Sequence, residues 1–427
     1  MSFVPAPFRI AAYRAYWLSR LASTIGQLAM VIVIGWQVYD IARQTMPLKE
    51  AAFRLGLIGL VQFLPLFLLT PVTGWVADHL DRRWVARGSI ALELLCAAAL
   101  GWLAWMHRTN LPALYAVAAL LGVARGFAGP ALGALAPNLV PREILPRAIA
   151  LSSIAWQSGS VVGPALGGYL YAFAPSAPYT VSAGLFAFAL AMLMTIPPIE
   201  RHQAPSKQNF WTKTSEGLRY VRRNPLVLGA ISLDLFAVLL GGATAMLPVF
   251  ARDVLHAGPE GLGHLRAAPA LGATLTAAFF AIRPLKHDVG IKMLSAVAVF
   301  GAATVVFGLS TSMPLSLACL ALLGAADMLS VYVRQSLIQL HTPDAMRGRV
   351  GAVSSVFISA SNELGEAESG FLAALIGPVT AVIAGGIGAV VVVGVWAWKF
   401  PELRLAKSFD TPEMELAPIP LAEEPAI

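Results

Sequence analysis

The sequence predicts an all-α membrane protein of twelve transmembrane helices, arranged as two pseudo-symmetric six-helix bundles. Three observations carry this prediction. Of 427 residues, 57% are hydrophobic and only 12% charged, about half the charged share of a soluble domain. The mean hydropathy is +0.71, so lipid rather than water must face much of the surface. The apolar residues fall in a dozen long runs, each about the 20 residues that a helix needs to cross a bilayer. The second half of the chain also repeats features of the first.

The runs lie at 14–40, 54–77, 85–106, 112–138, 147–173 and 178–198, then at 225–250, 262–283, 291–310, 314–339, 350–375 and 378–398. They are continuous and too long for the roughly ten-residue alternating strands of a membrane barrel. This divides the chain into an N-terminal bundle (1–198), a cytoplasmic linker (199–224), a C-terminal bundle (225–399) and a tail (400–427). Within the linker, Phe210 to Arg223 alternates apolar and basic residues at helical spacing and stops before Pro225. That pattern predicts an amphipathic helix on the membrane surface. The tail holds Pro401, Pro412, Pro418, Pro420 and Pro425 among several glutamates, a composition expected to be disordered.

Basic residues concentrate in the even-numbered connections. Arg82, Arg83 and Arg87 follow span 2, Arg142 and Arg147 follow span 4, and Arg201, Lys207, Lys213, Arg219, Arg222 and Arg223 follow span 6. The odd connections hold Arg43, Lys49, Arg54, Arg108 and Arg252. Basic loops stay in the cytoplasm, so both termini are expected there, with the protein multi-pass in the cell (inner) membrane. The net charge of +7 is explained by this topology, and no nucleic-acid partner is expected. No signal-peptide cleavage site follows Arg9 and Arg14. Cys96 and Cys319 sit in apolar runs and read as core residues.

An offset of 202 residues aligns the halves without a gap. Ala119-Leu120-Leu121-Gly122 matches Ala321-Leu322-Leu323-Gly324, Pro141 matches Pro343, and Arg147 matches Arg349. Ser152-Ser153 matches Ser354-Ser355, Gly163 matches Gly365, and Gly168 matches Gly370. Parallel repeats of this kind occur in transporters, with the substrate site between the halves near the bilayer midplane.

Two motifs add a direction. After span 2 stands Gly74-Trp75-Val76-Ala77-Asp78-His79-Leu80-Asp81-Arg82-Arg83. Gly74 permits close helix approach, Asp78 can cap a helix or pair with an arginine, and Arg82 and Arg83 hold to the cytoplasmic side. In span 5 stands Gly159-Ser160-Val161-Val162-Gly163-Pro164-Ala165-Leu166-Gly167-Gly168. Its small residues allow backbones to approach, and Pro164 removes a helix hydrogen bond. The first resembles the G-x-x-x-D-x-x-x-R-R loop of the major facilitator superfamily. The second resembles the G-x-x-x-G-P-x-x-G-G motif of that superfamily's antiporters. The stretch Pro343-Asp344-Ala345-Met346-Arg347-Gly348-Arg349-Val350 is similar to the bacterial siderophore and drug efflux branch. The resemblance covers spans 1 to 12. It implies a secondary transporter that exports a small amphipathic molecule by proton antiport with alternating access, working as a monomer. An importer on the same fold, or a non-transporting membrane sensor or scaffold, are the alternatives.

Charges inside spans cost about 2.5–3.5 kcal/mol each on insertion scales, so they are the candidate coupling and cavity residues. Arg125 in span 4 resembles the arginine that the superfamily's antiporters use in proton coupling. Its repeat mate is Asp327. Opposite charges at these positions read as a charge pair or an anion/proton site, against a local pairing of Arg125 with Glu93. Arg20 and Asp234 lie about two turns into spans 1 and 7 and read either as an inter-half gate or as packing. Glu363 and Glu366, with Glu368, form the densest acidic cluster in any span, suited to carrying protons unless hydrated at the mouth. Arg266 and Arg334 read as snorkelling residues, and Asp40 as a boundary residue. Trp17, Trp36, Tyr39, Phe127 and Trp156 are available either to a cavity or to interface packing. The sequence holds no phosphate-cradling loop, no metal-ligand spacing and no catalytic constellation, and no cofactor is expected.

Overall fold

In lipid every backbone N–H and C=O must be paired within the protein, and the chain meets this with helices. The structure, a computed structural model, describes residues 6–198, 210–283, 285 and 287–409. No strand occurs among them. The first six helices are α1 (Ala11–Thr45), α2 (Leu48–His79), α3 (Arg82–Trp105), α4 (Leu111–Leu135), α5 (Leu145–Phe173) and α6 (Ala177–Met194). The linker helix α7 (Phe210–Arg223) follows. Then come α8 (Pro225–Leu240), the short α9 (Leu247–Val249), α10 (Gly258–Ile282), α11 (Val289–Leu309), α12 (Met313–Leu340), α13 (Asp344–Ile376), α14 (Pro378–Lys399) and α15 (Pro401–Arg404).

Ten stretches among the described residues are long and apolar enough to cross a membrane, with Pro225–Val254 counted as one. The long helices α5 and α13 fall outside that set because polar residues interrupt them, Gln157, Ser158 and Ser160 in one and Glu363, Glu366 and Glu368 in the other. With these two, six long segments stand on each side of α7. Most helices run a few residues beyond the apolar runs, as with Leu48–His79 around 54–77, because helix ends continue through the polar headgroup layer. Side chains close several starts: Asp81 accepts from the Arg83 N–H at 2.9 Å, Asn110 from Ala113 at 3.0 Å and Asn224 from Val227 at 3.2 Å. These are N-caps, which satisfy donors that a helix leaves orphaned.

The glycines that repeat at an offset of 202 sit in equivalent packing positions. A Cβ at Gly163 would meet Ile25 O of α1 at 2.9 Å, and one at Gly365 would meet Val238 O of α8 at 3.1 Å. Gly122 lies against the Gln62 carbonyl of α2, and Gly324 against the Pro269 carbonyl of α10. Gly168 and Gly370 go further, because each faces the opposite half. A Cβ at Gly168 would lie 2.9 Å from Gly263 Cα in α10, and Gly370 packs against Gly56 of α2. The pairs α5/α10 and α2/α13 thus form two seams between the halves, each with glycine facing glycine.

Two expectations need correction. The seventh span is not one regular helix. It breaks at Gly241–Gly242, passes through a 3-10 turn at Ala243–Met246 and ends in a π turn over Phe250–Val254. Nor is the start of the tail disordered. Phe400 lies against Gly229, Leu403 against Gly290, and both are buried. Asp288 and Gly290 donate backbone hydrogen bonds to Lys407 O and Ala406 O at 2.6 and 3.0 Å. The Phe400 ring over Gly229 and the Leu403 backbone carbonyl against Gly290 anchor the chain there despite Pro401. Residues 410–427 and 199–209 lie outside the described residues.

Candidate functional site

A cavity of about 500 Å³ lies between the halves, within the 300–1,000 Å³ usual for small-molecule sites. Its wall draws on both halves: α1 through Gln27, Leu28 and Val31, α2 through Gln62, α4 through Arg125 and α5 through Trp156, Gln157 and Ser160. From the other side come Asp234 and Val238 of α8, Arg266 and Pro269 of α10, Asp327 and Arg334 of α12, and Asn362, Glu363 and Glu366 of α13. Seven ionisable side chains thus line one cavity at membrane depth. Apolar surroundings raise the cost of any of them left unpaired.

Arg125 is the centre of the inter-half contacts. Its Nη1 donates to Gln62 Oε1 in its own half at 3.0 Å and pairs with Glu363 Oε1 of the opposite half, also at 3.0 Å. The repeat mate Asp327 lines the same cavity but makes no hydrogen bond or ion pair among the described residues. Glu93 is buried, and it is Glu363, not Glu93, that binds Arg125. Glu366 faces Arg266 at 3.6 Å, and Arg266 also donates to Thr244 O at 2.8 Å. Arg266 sits eight residues into α10, about 12 Å along the helix. It lines the cavity opposite Glu366 instead of snorkelling.

The proposed Arg20–Asp234 gate is not formed. Asp234 pairs with Arg334 of α12, and both are buried. Arg20 lies 5.9 Å from the centre of the Trp156 ring, within its own half. Arg334, read from the sequence as a snorkelling residue, is held inside because it finds a carboxylate there. Removing one partner of a buried pair leaves an uncompensated charge and costs about 3–5 kcal/mol. Asp234→Ala is therefore expected to lower thermal stability in detergent by that amount, and Asp234→Ala/Arg334→Met to recover most of it. An unchanged melting temperature for the single variant would contradict this.

The described part of the loop motif lies at the start of α3. Asp81 caps α3 through the Arg83 N–H; Gly74 and the side chain of Asp78 lie outside the described residues. Asp81 also pairs with Arg83 Nη2 at 2.6 Å. Arg83 and Arg87 reach the end of α6, donating to Ile196 O and Leu193 O at 2.8 to 3.2 Å. Orphan carbonyls at a helix end are good acceptors for cations, so these arginines tie α3 to α6. Arg82 starts α3 and is half-buried. In the helix-5 motif, Gly159, Gly163 and Gly167 face Thr24, Ile25 and Ala29 of α1. Gly168 faces α10, and the carbonyl of the intrahelical Pro164 lies beside Gly263. Of the five aromatic candidates, Trp156 lines the cavity, while Trp17 donates to Leu151 O at 2.8 Å as a packing contact.

Sequence reasoning missed a latch at the end of the molecule where α1 turns into α2. Asp40 pairs with Arg252 at 2.8 Å, Arg43 pairs with Asp253 at 3.2 Å, and Tyr39 donates to Asp253 Oδ2 at 2.5 Å. Arg252 also donates to Asp40 O. The π turn presents Arg252 and Asp253 toward α1. The available signal was complementary: an Asp and an Arg near the end of span 1, and an Arg-Asp pair at the end of the repeat-equivalent span 7.

A cavity enclosed by two six-helix sets, crossed by glycine seams and lined with paired charges, defines a polytopic membrane transporter of the major facilitator type. Residues 3–424 match the family described as transmembrane secretion effector, and the chain belongs to that family. Its relatives include enterobactin exporter EntS of Escherichia coli O1:K1, 28% identical over 393 residues that cover 89% of this chain and 90% of the relative. The same exporter of Citrobacter koseri is 29% identical with the same coverage. Among solved structures, a bacterial homologue of the human lysosomal transporter Spinster, inward-facing and occupied, superposes with a TM-score of 0.71 at 14% identity. It covers 93% of this chain and 98% of its own, a likeness of fold alone.

Proposed function

We propose that this protein exports a small amphipathic organic molecule, such as a drug, a siderophore or another metabolite, across the cytoplasmic membrane by proton antiport. The observation that carries the reading is Arg125, held at 3.0 Å by Gln62 of its own half and at 3.0 Å by Glu363 of the other. Protonation of Glu363 removes its charge and weakens the link to Arg125, which lets the halves separate. Return of the halves restores the ion pair once the proton has left. The halves rock about the two glycine seams, so the cavity faces one side and then the other. Export, rather than import, is supported by the helix-5 motif and by the relatives named enterobactin exporters. The basic residues of the even connections support a topology with both termini in the cytoplasm, and in this reading the chain works as a monomer in the inner membrane without a nucleic-acid partner.

Efflux measured in reconstituted vesicles is expected to fall when the pH gradient is collapsed with a proton carrier. Unchanged efflux would remove the coupling. Uptake driven toward the cytoplasmic face would reverse the direction, and absence of any flux would favour a sensor or scaffold.

A further inference from the structure

The charges of the cavity do not balance. Arg125, Arg266 and Arg334 are each engaged by a carboxylate, Glu363, Glu366 and Asp234 in turn. Asp327 is left over, with no hydrogen bond or ion pair among the described residues. It does not face the open cavity alone. A recess leads off the cavity, lined by Asp327, Ser330, Asp234, Phe300 and apolar residues of α8, α11 and α12. Ser330 is 3% exposed, and its Oγ is buried without a hydrogen-bond partner. Asp327 and Ser330 are three residues apart on α12, so they share a helix face. The recess volume is about 10 Å³, the space of roughly one water-sized group.

From this arrangement we infer that the recess is a subsite for a primary ammonium group of the transported molecule, with Asp327 as its counter-charge. An ammonium carries three N–H donors and no acceptor. Asp327 supplies a carboxylate for a charge-assisted hydrogen bond. Ser330 Oγ accepts a second, which ends its isolation. Phe300 also lines the recess, and an aromatic ring is a favourable neighbour for a cation. Asp234 faces the same recess, but its charge is already taken by Arg334. The small volume admits –NH3+ and excludes a trimethylammonium group. The substrate class is therefore an amphipathic amine whose apolar body lies in the main cavity.

This inference rests on the exporter reading for its transport arm only, since binding can be measured separately. The test uses purified full-length chain, with 1-naphthylmethylamine, 1-naphthylmethanol and the N,N,N-trimethyl derivative as probes. Binding is read by calorimetry and flux in reconstituted vesicles. The wild-type chain is expected to prefer the primary amine over both others by tenfold or more, and Asp327→Asn to reduce that ratio to near one. Ser330→Ala is expected to reduce it in part. Because the readout is a ratio, a general loss of activity does not mimic it, and thermal unfolding confirms that each variant is folded. Equal affinity for amine and alcohol, a preference that survives in Asp327→Asn, or no binding of any probe would overturn the subsite. So would Asp327-dependent stabilisation by sodium chloride, relative to choline chloride, in place of the amine. Flux of all probes without preference would leave the exporter standing and sink the subsite. Amine binding that depends on Asp327, without flux, would do the reverse.

Discussion

Arg125→Ala is expected to lower substrate efflux by about 100-fold or more while leaving the helical fold intact. A hundredfold loss corresponds to about 2.7 kcal/mol, the scale of one charge-assisted link between the halves. The variant strips Glu363 of its ion-pair partner and Gln62 of its donor in one step. Glu363 is buried, so its lone charge becomes costly, and the ion pair whose breaking and remaking carries the proposed coupling is gone. Glu363→Gln separates the two roles. It keeps a hydrogen-bonding group beside Arg125 but carries no titratable proton. Its efflux is expected to lose its response to the pH gradient, with less effect on substrate binding. The double variant is expected to be no worse than Arg125→Ala alone, because the two side chains act as one unit and their effects do not add. Reconstituted vesicles with and without a collapsed gradient measure all three. Full, gradient-dependent efflux by Arg125→Ala would refute the central role given to this residue.

Much of this architecture was legible before any coordinates. Hydrophobic run length is a strong signal because the bilayer fixes it, and the positions of the long helices follow directly. The repeat was equally readable: Gly163/Gly365 and Gly122/Gly324 occupy matched packing positions because close backbone approach tolerates no Cβ. Charges in spans pointed to the cavity, since insertion cost removes those without a use. Arg125, Asp327, Glu363 and Glu366 all line it. Pairing was not legible. Which carboxylate meets which arginine depends on helix rotation and on separations across the two halves, neither of which spacing along the chain encodes. Asp234 therefore turned out to bind Arg334, not Arg20, and Arg125 to bind Glu363, not its repeat mate. The break at Gly241–Gly242 hid for a related reason. Two glycines in an apolar run read equally well as helix packing, and only the neighbours decide. There, Gly242 faces the Gly365 carbonyl of α13.

The glycine seams give the other large effect. A side chain added at Gly168 would put its Cβ 2.5 Å from Pro259 O and 2.9 Å from Gly263 Cα. Both are backbone atoms, which cannot swing aside like the end of a flexible side chain. Gly168→Leu therefore forces α5 and α10 apart, and Gly370→Leu does the same to α13 and α2 at Gly56. The latch of Asp40 with Arg252 and Arg43 with Asp253 closes the same end of the molecule, and it cannot engage if the helices beside it are wedged open. Either variant is expected to hold the cavity open toward the side of the α1–α2 turn and to abolish efflux. Cys96 and Cys319 are both buried, so they leave a background on which Ser160→Cys reports cavity access. Labelling of that cysteine by a membrane-impermeant thiol reagent from the α1–α2 side is expected to quicken in the Gly168→Leu background. Gly184, where an added Cβ would meet nothing within 4 Å, is the control: Gly184→Ala is expected to transport and label as the parent does. Normal efflux and normal labelling in Gly168→Leu would mean that the two halves do not close on each other through this seam. The alternation of the cavity would then have to be sought along some other line of contact.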